Sequence, residues 1–337
     1  MLYMLKIMKQ ITCLIGFIIL NSCNERETEK QVAVEALAPV KPVTETSLIV
    51  LGTMQDAGSP QLGCTKDCCR DLFSNPGKNN RVVSLGLVDV MNQKKYLFEA
   101  TPDITQQAKA LKNYATFSDR EMPDGIFVTH AHIGHYTGLQ YLGKEAMNTD
   151  SIPVYAMPRM KNFLEQNGPW SLLVKNKNIA LREMQHQKEI QLAPGLKVMP
   201  FTVPHRDEFS ETVGFIITGP NKKALFIPDI DKWEKWETGI ITAIATVDYA
   251  FIDGTFFDAA EINNPQDPVR RDISTIPHPF IIESMNLFKD LPTAEKKKIY
   301  FIHFNHTNAA INPNSKEAAR IVKNGFNIAV INQVLKL

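Results

Sequence analysis

Three histidines fall within six residues in the stretch Thr129-His130-Ala131-His132-Ile133-Gly134-His135. In extended backbone, side chains two apart point the same way, so His130 and His132 can grip one ion. His135 lies at the turn into a predicted helix and can reach the ion from another side. Imidazole nitrogens suit zinc, iron and related metals, so the chemistry implied is metal binding. Three further groups of the same kind are spread along the chain: His205 after Pro204, Asp229 after Pro228, and His303. Each follows an apolar segment (residues 196–203, 223–227 and 298–302), as His130 follows residues 125–129. In α/β sheets, side chains just past strand ends converge on one crevice. Four such coincidences point to a shared site.

The elements that must position these residues are short apolar runs alternating with helical patterns. Strands are predicted at 47–53, 82–90, 95–101, 125–129, 153–156, 196–203, 212–218, 223–227, 249–252, 298–302 and 327–331. Helices are predicted at 104–114, 135–147, 158–166, 232–245, 280–291 and 315–324, with Asp103 placed to cap the first. Strands with helices between them and no internal repeat predict an α/β sandwich.

The chain has 337 residues, suited to one large or two small domains. At 44% hydrophobic and 22% charged its composition is that of a globular protein. A net charge of +1 and the lack of a basic stripe interleaved with aromatics argue against a nucleic-acid partner. The N-terminus reads differently. Lys6 and Lys9 precede a mostly apolar run, residues 11–20, too short to span a bilayer and suited to a signal peptide. Leu20-Asn21-Ser22-Cys23 resembles the lipobox of bacterial lipoproteins, which implies cleavage before Cys23 and a diacylglycerol on its thiol. Residues 1–22 are then a signal and 23–46, with no aromatic, a flexible tether. The folded domain is expected at 47–337, exported and held on the periplasmic or cell-surface side of a bacterial membrane.

Cys64, Cys68 and Cys69 cluster within six residues. Three thiols lack one ligand for a tetrahedral structural zinc, and His278 is a candidate for it, or else a substrate-pocket residue. The alternative is a disulfide from Cys64 to Cys68 or Cys69, which an exported compartment permits. His306, three residues past His303, is a candidate for orienting a ligand or binding substrate.

The histidine cluster resembles the His-x-His-x-Asp-His signature of metallo-β-lactamase-fold hydrolases, and His205, Asp229 and His303 follow in the order of that family. The resemblance runs from Ser47 to the C-terminus and implies an αββα sandwich of two mixed sheets. It implies one zinc at His130, His132 and His205, a second at His135 and His303, a bridging Asp229 and a water nucleophile; Asp229, or another acid nearby, is expected to handle the proton. One position departs: the signature aspartate is Gly134, which predicts a mononuclear or weak second site. Cys64, Cys68 and Cys69, the stretches Thr101-Pro102-Asp103-Ile104-Thr105-Gln106-Gln107, Asp253-Gly254-Thr255-Phe256-Phe257 and His303-Phe304-Asn305-His306-Thr307-Asn308 are similar to the coenzyme PQQ biosynthesis protein B branch. Hydrolysis of an ester, phosphodiester or related bond of a small molecule is expected. A metal-dependent oxidoreductase using iron, or a non-catalytic surface lipoprotein, is the alternative, and manganese is a further candidate ion.

Overall fold

The computed structural model of the chain describes residues 41–76, 80–263 and 270–337. The expected signal, Cys23 and most of the tether lie outside the described residues. Among the described residues, fourteen strands form two sheets of seven. The first holds β1 (Ser47–Gly52), β2 (Ser84–Asp89), β3 (Lys94–Phe98), β4 (Gly125–Phe127), β5 (Ile152–Ala156) and β6 (Ile179–Glu183), with β14 (Val334–Lys336) on the far side of β1. The second runs through β7 (Ile190–Ala193), β8 (Leu196–Thr202), β9 (Val213–Thr218), β10 (Lys223–Ile227), β11 (Tyr249–Asp253), β12 (Ile299–Ile302) and β13 (Asn327–Ile328).

Both sheets are mixed. In the first, β14 to β3 pair antiparallel and β3 to β6 parallel. In the second, β7 to β10 pair antiparallel and β10 to β13 parallel. Side chains alternate across each sheet. Leu48, Val50, Phe98 and Phe127 of the first meet Val198, Phe215, Phe226 and Phe251 of the second in a central core. Phe98 stacks on Phe127 at 4.9 Å and meets Phe215 edge-on at 5.4 Å, which locks the sheets face to face.

The opposite faces are covered too. Ile49, Leu51 and Leu97 pack under the helix Ile104–Tyr114 through Ile104 and Leu111, while Leu225, Ile252 and Phe301 pack under Ile281, Met285 and Ile321. Strands buried on both faces explain why their sequences are continuous apolar runs. The layers are helices, sheet, sheet, helices: the metallo-β-lactamase αββα sandwich.

Several elements differ from expectation for local reasons. The predicted helix 135–147 is one turn, Ile133–Tyr136, followed by a 3₁₀ segment, Thr137–Leu142. Its backbone bonds go to the end of β3 instead: Ala100 N donates to His135 O and Gly138 N to Ala100 O. The predicted helix 232–245 divides into Trp233–Lys235 and Ile240–Ala245 at Gly239, whose φ is 74°. Asp103 makes no cap; its Oδ2 accepts from Val82 N. Strands β6, β7 and β14 are edge or near-edge strands with mixed burial, and their weak alternation hides them in sequence.

Candidate metal centre

Every catalytic candidate lies past the carboxyl end of a strand, at one end of the sandwich. The first sheet sends Asp56 from the loop after β1 and His130, His132 and His135 from the turn after β4. The second sends His205 after β8, Asp229 after β10, Asp253 at the end of β11 and His303 after β12. Donor atoms of His130, His132, His205 and Asp229 lie within 4.8 Å of one another. Those of Asp56, His135, Asp229 and His303 form a second group within the same distance, and Asp229 belongs to both.

The orientation of four of these rings, those of His130, His132, His135 and His303, follows from the bond made by the other nitrogen. Thr129 Oγ1 donates to Glu99 Oε1 at 2.7 Å and so accepts from His130 Nδ1 at 2.9 Å. Glu99 Oε1 also accepts from His135 Nδ1 at 3.1 Å. Thr255 Oγ1 donates to Asp253 Oδ1 at 2.7 Å and accepts from His303 Nδ1 at 2.8 Å. These bonds turn the Nε2 lone pairs of His130, His135 and His303 inward. His132 lies 3.2 Å from Glu208 through Nε2, leaving Nδ1 for the site. The backbone bends for this arrangement: Glu99 and His303 sit at φ of 76° and 68°, conformations that cost a non-glycine residue on the order of 1 kcal/mol or more.

The inward atoms have no hydrogen-bond partner. Among the described residues, Asp56 Oδ1, His130 Nε2, His132 Nδ1, His135 Nε2, both nitrogens of His205, Asp229 Oδ1 and His303 Nε2 are buried and unbonded. Buried polar atoms are almost always bonded, so a cluster of them facing one another is the signature of a site shaped for a cation. The donor set, imidazoles with two carboxylates, fits zinc, iron or manganese.

Electrostatics agree for Asp229, His130 and His205, and run the other way for His135. Burial would raise the Asp229 carboxyl, but His205, His278, His303 and His130 hold it well below the usual range, so it stays ionised. Burial and the neighbouring His135 keep His130 neutral, and burial keeps His205 neutral, as ligands must be. His135 is held well above its ordinary value in spite of burial, by Glu99 and Asp56.

Two expectations exchange places. His278 is not beside the cysteines: its Nδ1 lies 2.8 Å from Asp253 Oδ2 and 3.2 Å from Asp229 Oδ1. His306 is not in the histidine crevice: its Nδ1 lies 3.5 Å from Cys68 Sγ and 3.4 Å from Cys69 Sγ. The turn Asn305-His306-Thr307 carries that ring away from His303 and over the helix Asp67–Ser74. Cys64 to Cys68 and Cys68 to Cys69 are each 3.9 Å between sulfurs, so none is bonded to another. That spacing is close to the ~3.8 Å between two thiolates that share one zinc at about 2.3 Å. Burial and the neighbouring thiols push Cys68 up to about 12.

Sequence reasoning missed Asp56, Glu99 and Asp253. Asp56 is a lone acid in a loop and carries no signal by itself. Glu99 and Asp253 are acids at the ends of apolar strands, the same signal that singled out Asp229.

The profile of the beta-lactamase superfamily domain matches residues 94–304. The chain belongs to the beta-lactamase superfamily. Within it, coenzyme PQQ synthesis protein B of Methylorubrum extorquens strain PA1 is 24% identical over 307 residues, covering 84% of this chain and 97% of that protein. Among solved structures, the Zn(2+)-bound PqqB from Methylobacterium extorquens has a TM-score of 0.70 at 21% identity, covering 86% of this chain and all of the other. A diphosphatase from the PhnP family has a TM-score of 0.57 at 20% identity, covering 86% and 96%. These likenesses support the superfamily fold over most of the chain.

Proposed function

We propose that this chain is a metal-dependent hydrolase acting on an ester, phosphodiester or related bond of a small molecule. The observation that carries the reading is the ring of buried, unbonded nitrogen and carboxylate atoms, oriented by Thr129, Glu99 and Thr255. His130, His132, His205 and Asp229 would hold one ion, and His135 and His303, sharing Asp229, would stand at a second. A divalent ion bound there supplies Lewis acidity and brings the pKa of its water toward neutrality. The PqqB structure is named as zinc-bound, which makes zinc the first ion to test, with manganese and iron after it.

The protein's own groups then divide the work. Asp229 is kept ionised by the histidines around it and acts by its charge. His278 is held up at about 9: burial opposes the charged ring, but Asp253 and Asp229 outweigh it. It therefore keeps a proton on Nδ1, donated to Asp253, and adds positive charge beside Asp229. His306, drawn away to the thiols, would complete a structural metal site with Cys64, Cys68 and Cys69.

The structural likeness to a diphosphatase adds phosphoanhydrides to the phosphodiesters and esters of the first panel. A second reading, an oxidoreductase using iron, draws on the donor set, since imidazoles with carboxylates suit iron as well as zinc. Elemental analysis of the protein purified without chelators, beside His130→Ala/His132→Ala and Cys64→Ser/Cys68→Ser variants, tests both. Zinc or manganese lost in the histidine variant together with phosphodiester or ester hydrolysis is expected. Full metal content in that variant would overturn the reading, and iron with oxygen consumption would move it to the second. The reading includes export and a lipid anchor on Cys23; no described helix is long and apolar enough to cross a membrane.

A further inference from the structure

Gly134 removes a carboxylate from the histidine signature, yet the second group of donors is not short of one. Asp56 Oδ1 lies 2.9 Å from His135 Nε2 and 3.9 Å from His303 Nε2. That oxygen is buried, and its close contacts are these two imidazole nitrogens. Asp56, His135, His303 and Asp229 therefore present two imidazole nitrogens and two carboxylate oxygens within 4.8 Å, a full tetrahedral donor set.

The two positions exclude each other. A Cβ placed on Gly134 would lie 2.4 Å from Asp56 Cα and 2.5 Å from its Oδ1, closer than atoms can approach. The space from which a side chain at 134 would enter the site is occupied by Asp56 itself. The loop that brings it there is pinned on both sides of the crevice. Met54 bridges to Val82 and Phe304, Gln55 N donates to Phe304 O at 2.8 Å, and Phe304 N donates to Thr53 O at 2.8 Å. Asp56 is thus held in register with His303, one residue before Phe304. Gly58, at φ 69°, closes the turn with its N–H on Gln55 O.

We propose that Asp56 is the second-site carboxylate of this protein, relocated from the histidine turn to the loop after β1, so that the centre is dinuclear. This rests on the metal-hydrolase reading above. It reverses the expectation drawn from Gly134: the glycine makes room for a ligand. Asp56 and Asp229 together bring two negative charges to a pair of divalent ions, where Asp229 alone would bring one.

The test is metal stoichiometry in the intact chain, by elemental analysis after loading with zinc and by cobalt titration followed in the visible spectrum. Thermal melts serve as the folding control. Asp56→Asn, nearly isosteric, should lose one equivalent and one phase of the cobalt titration while the ions at His130 and at the cysteines stay. Gly134→Asp should lose the same equivalent, because its Cβ meets both the Asp56 backbone and the Asp56 carboxylate. An Asp56→Asn variant that keeps every equivalent would overturn the inference. Should wild type hold no metal that His130→Ala/His132→Ala loses, the metal-hydrolase reading itself falls, a result distinct from that one.

Discussion

Glu99 touches no reacting group, yet two metal-facing histidines depend on it. One oxygen accepts from Thr129 Oγ1 and from His135 Nδ1, and the other from Thr129 N. Its charge holds His135 Nδ1–H in place and, through Thr129, that of His130. Outer groups of this kind typically change metal affinity 10–100-fold when altered. Glu99→Gln, which keeps the shape and loses the charge, is expected to weaken the ion at His135 and His303 by about tenfold or more. Chelator competition measures this, and unchanged affinity would show that Glu99 only fills space. At this scale the histidines were legible because three in six residues after a strand is a rare pattern. Asp56 and Glu99 were not, because a single acid acquires meaning only from what folds against it.

At the scale of elements, strand ends were readable from apolar runs, and the loops after them were not. The exchange of His278 and His306 is a loop effect: both are tens or hundreds of residues from their partners in sequence, and the turn at Asn305 decides which ring faces which site. Glu261 ties two of these loops together. In the short helix Ala259–Ile262 it accepts from Phe257 N at 2.7 Å and from Thr307 Oγ1 at 2.6 Å. Burial outweighs those bonds and pushes its carboxyl up to about 7 from an ordinary 4.5. Below pH 4.5 the group is protonated folded or unfolded and costs nothing. As pH rises toward 7 the unfolded chain ionises first, so stability from this group is lost across that window and stays lost above it. Glu261→Gln removes the ionisation. Its thermal midpoint should gain on wild type between about pH 4.5 and 7, then run parallel; a constant offset at all pH values would refute the assignment.

At the scale of the whole molecule, the centre joins the two sheets, since Asp56 and the histidine turn come from one and His205, Asp229 and His303 from the other. The proposed anchor belongs to this scale as well. Cys23→Ser should move the protein from the membrane fraction to the soluble fraction of the producing bacterium and abolish labelling by a radioactive fatty acid; unchanged fractionation would remove the anchor from the account. What the sequence determined by itself is the fold class, the place of most strands, and the histidines and Asp229 that follow strand ends, because continuous apolar runs buried on both faces and chemistry placed at strand ends are local patterns. What only the tertiary structure decided is which carboxylate stands beside His135, which histidine joins the cysteines, and whether Gly134 is a loss. Each is a contact between segments far apart in the chain, fixed by the space left when two sheets close on each other, and no local pattern carries that information.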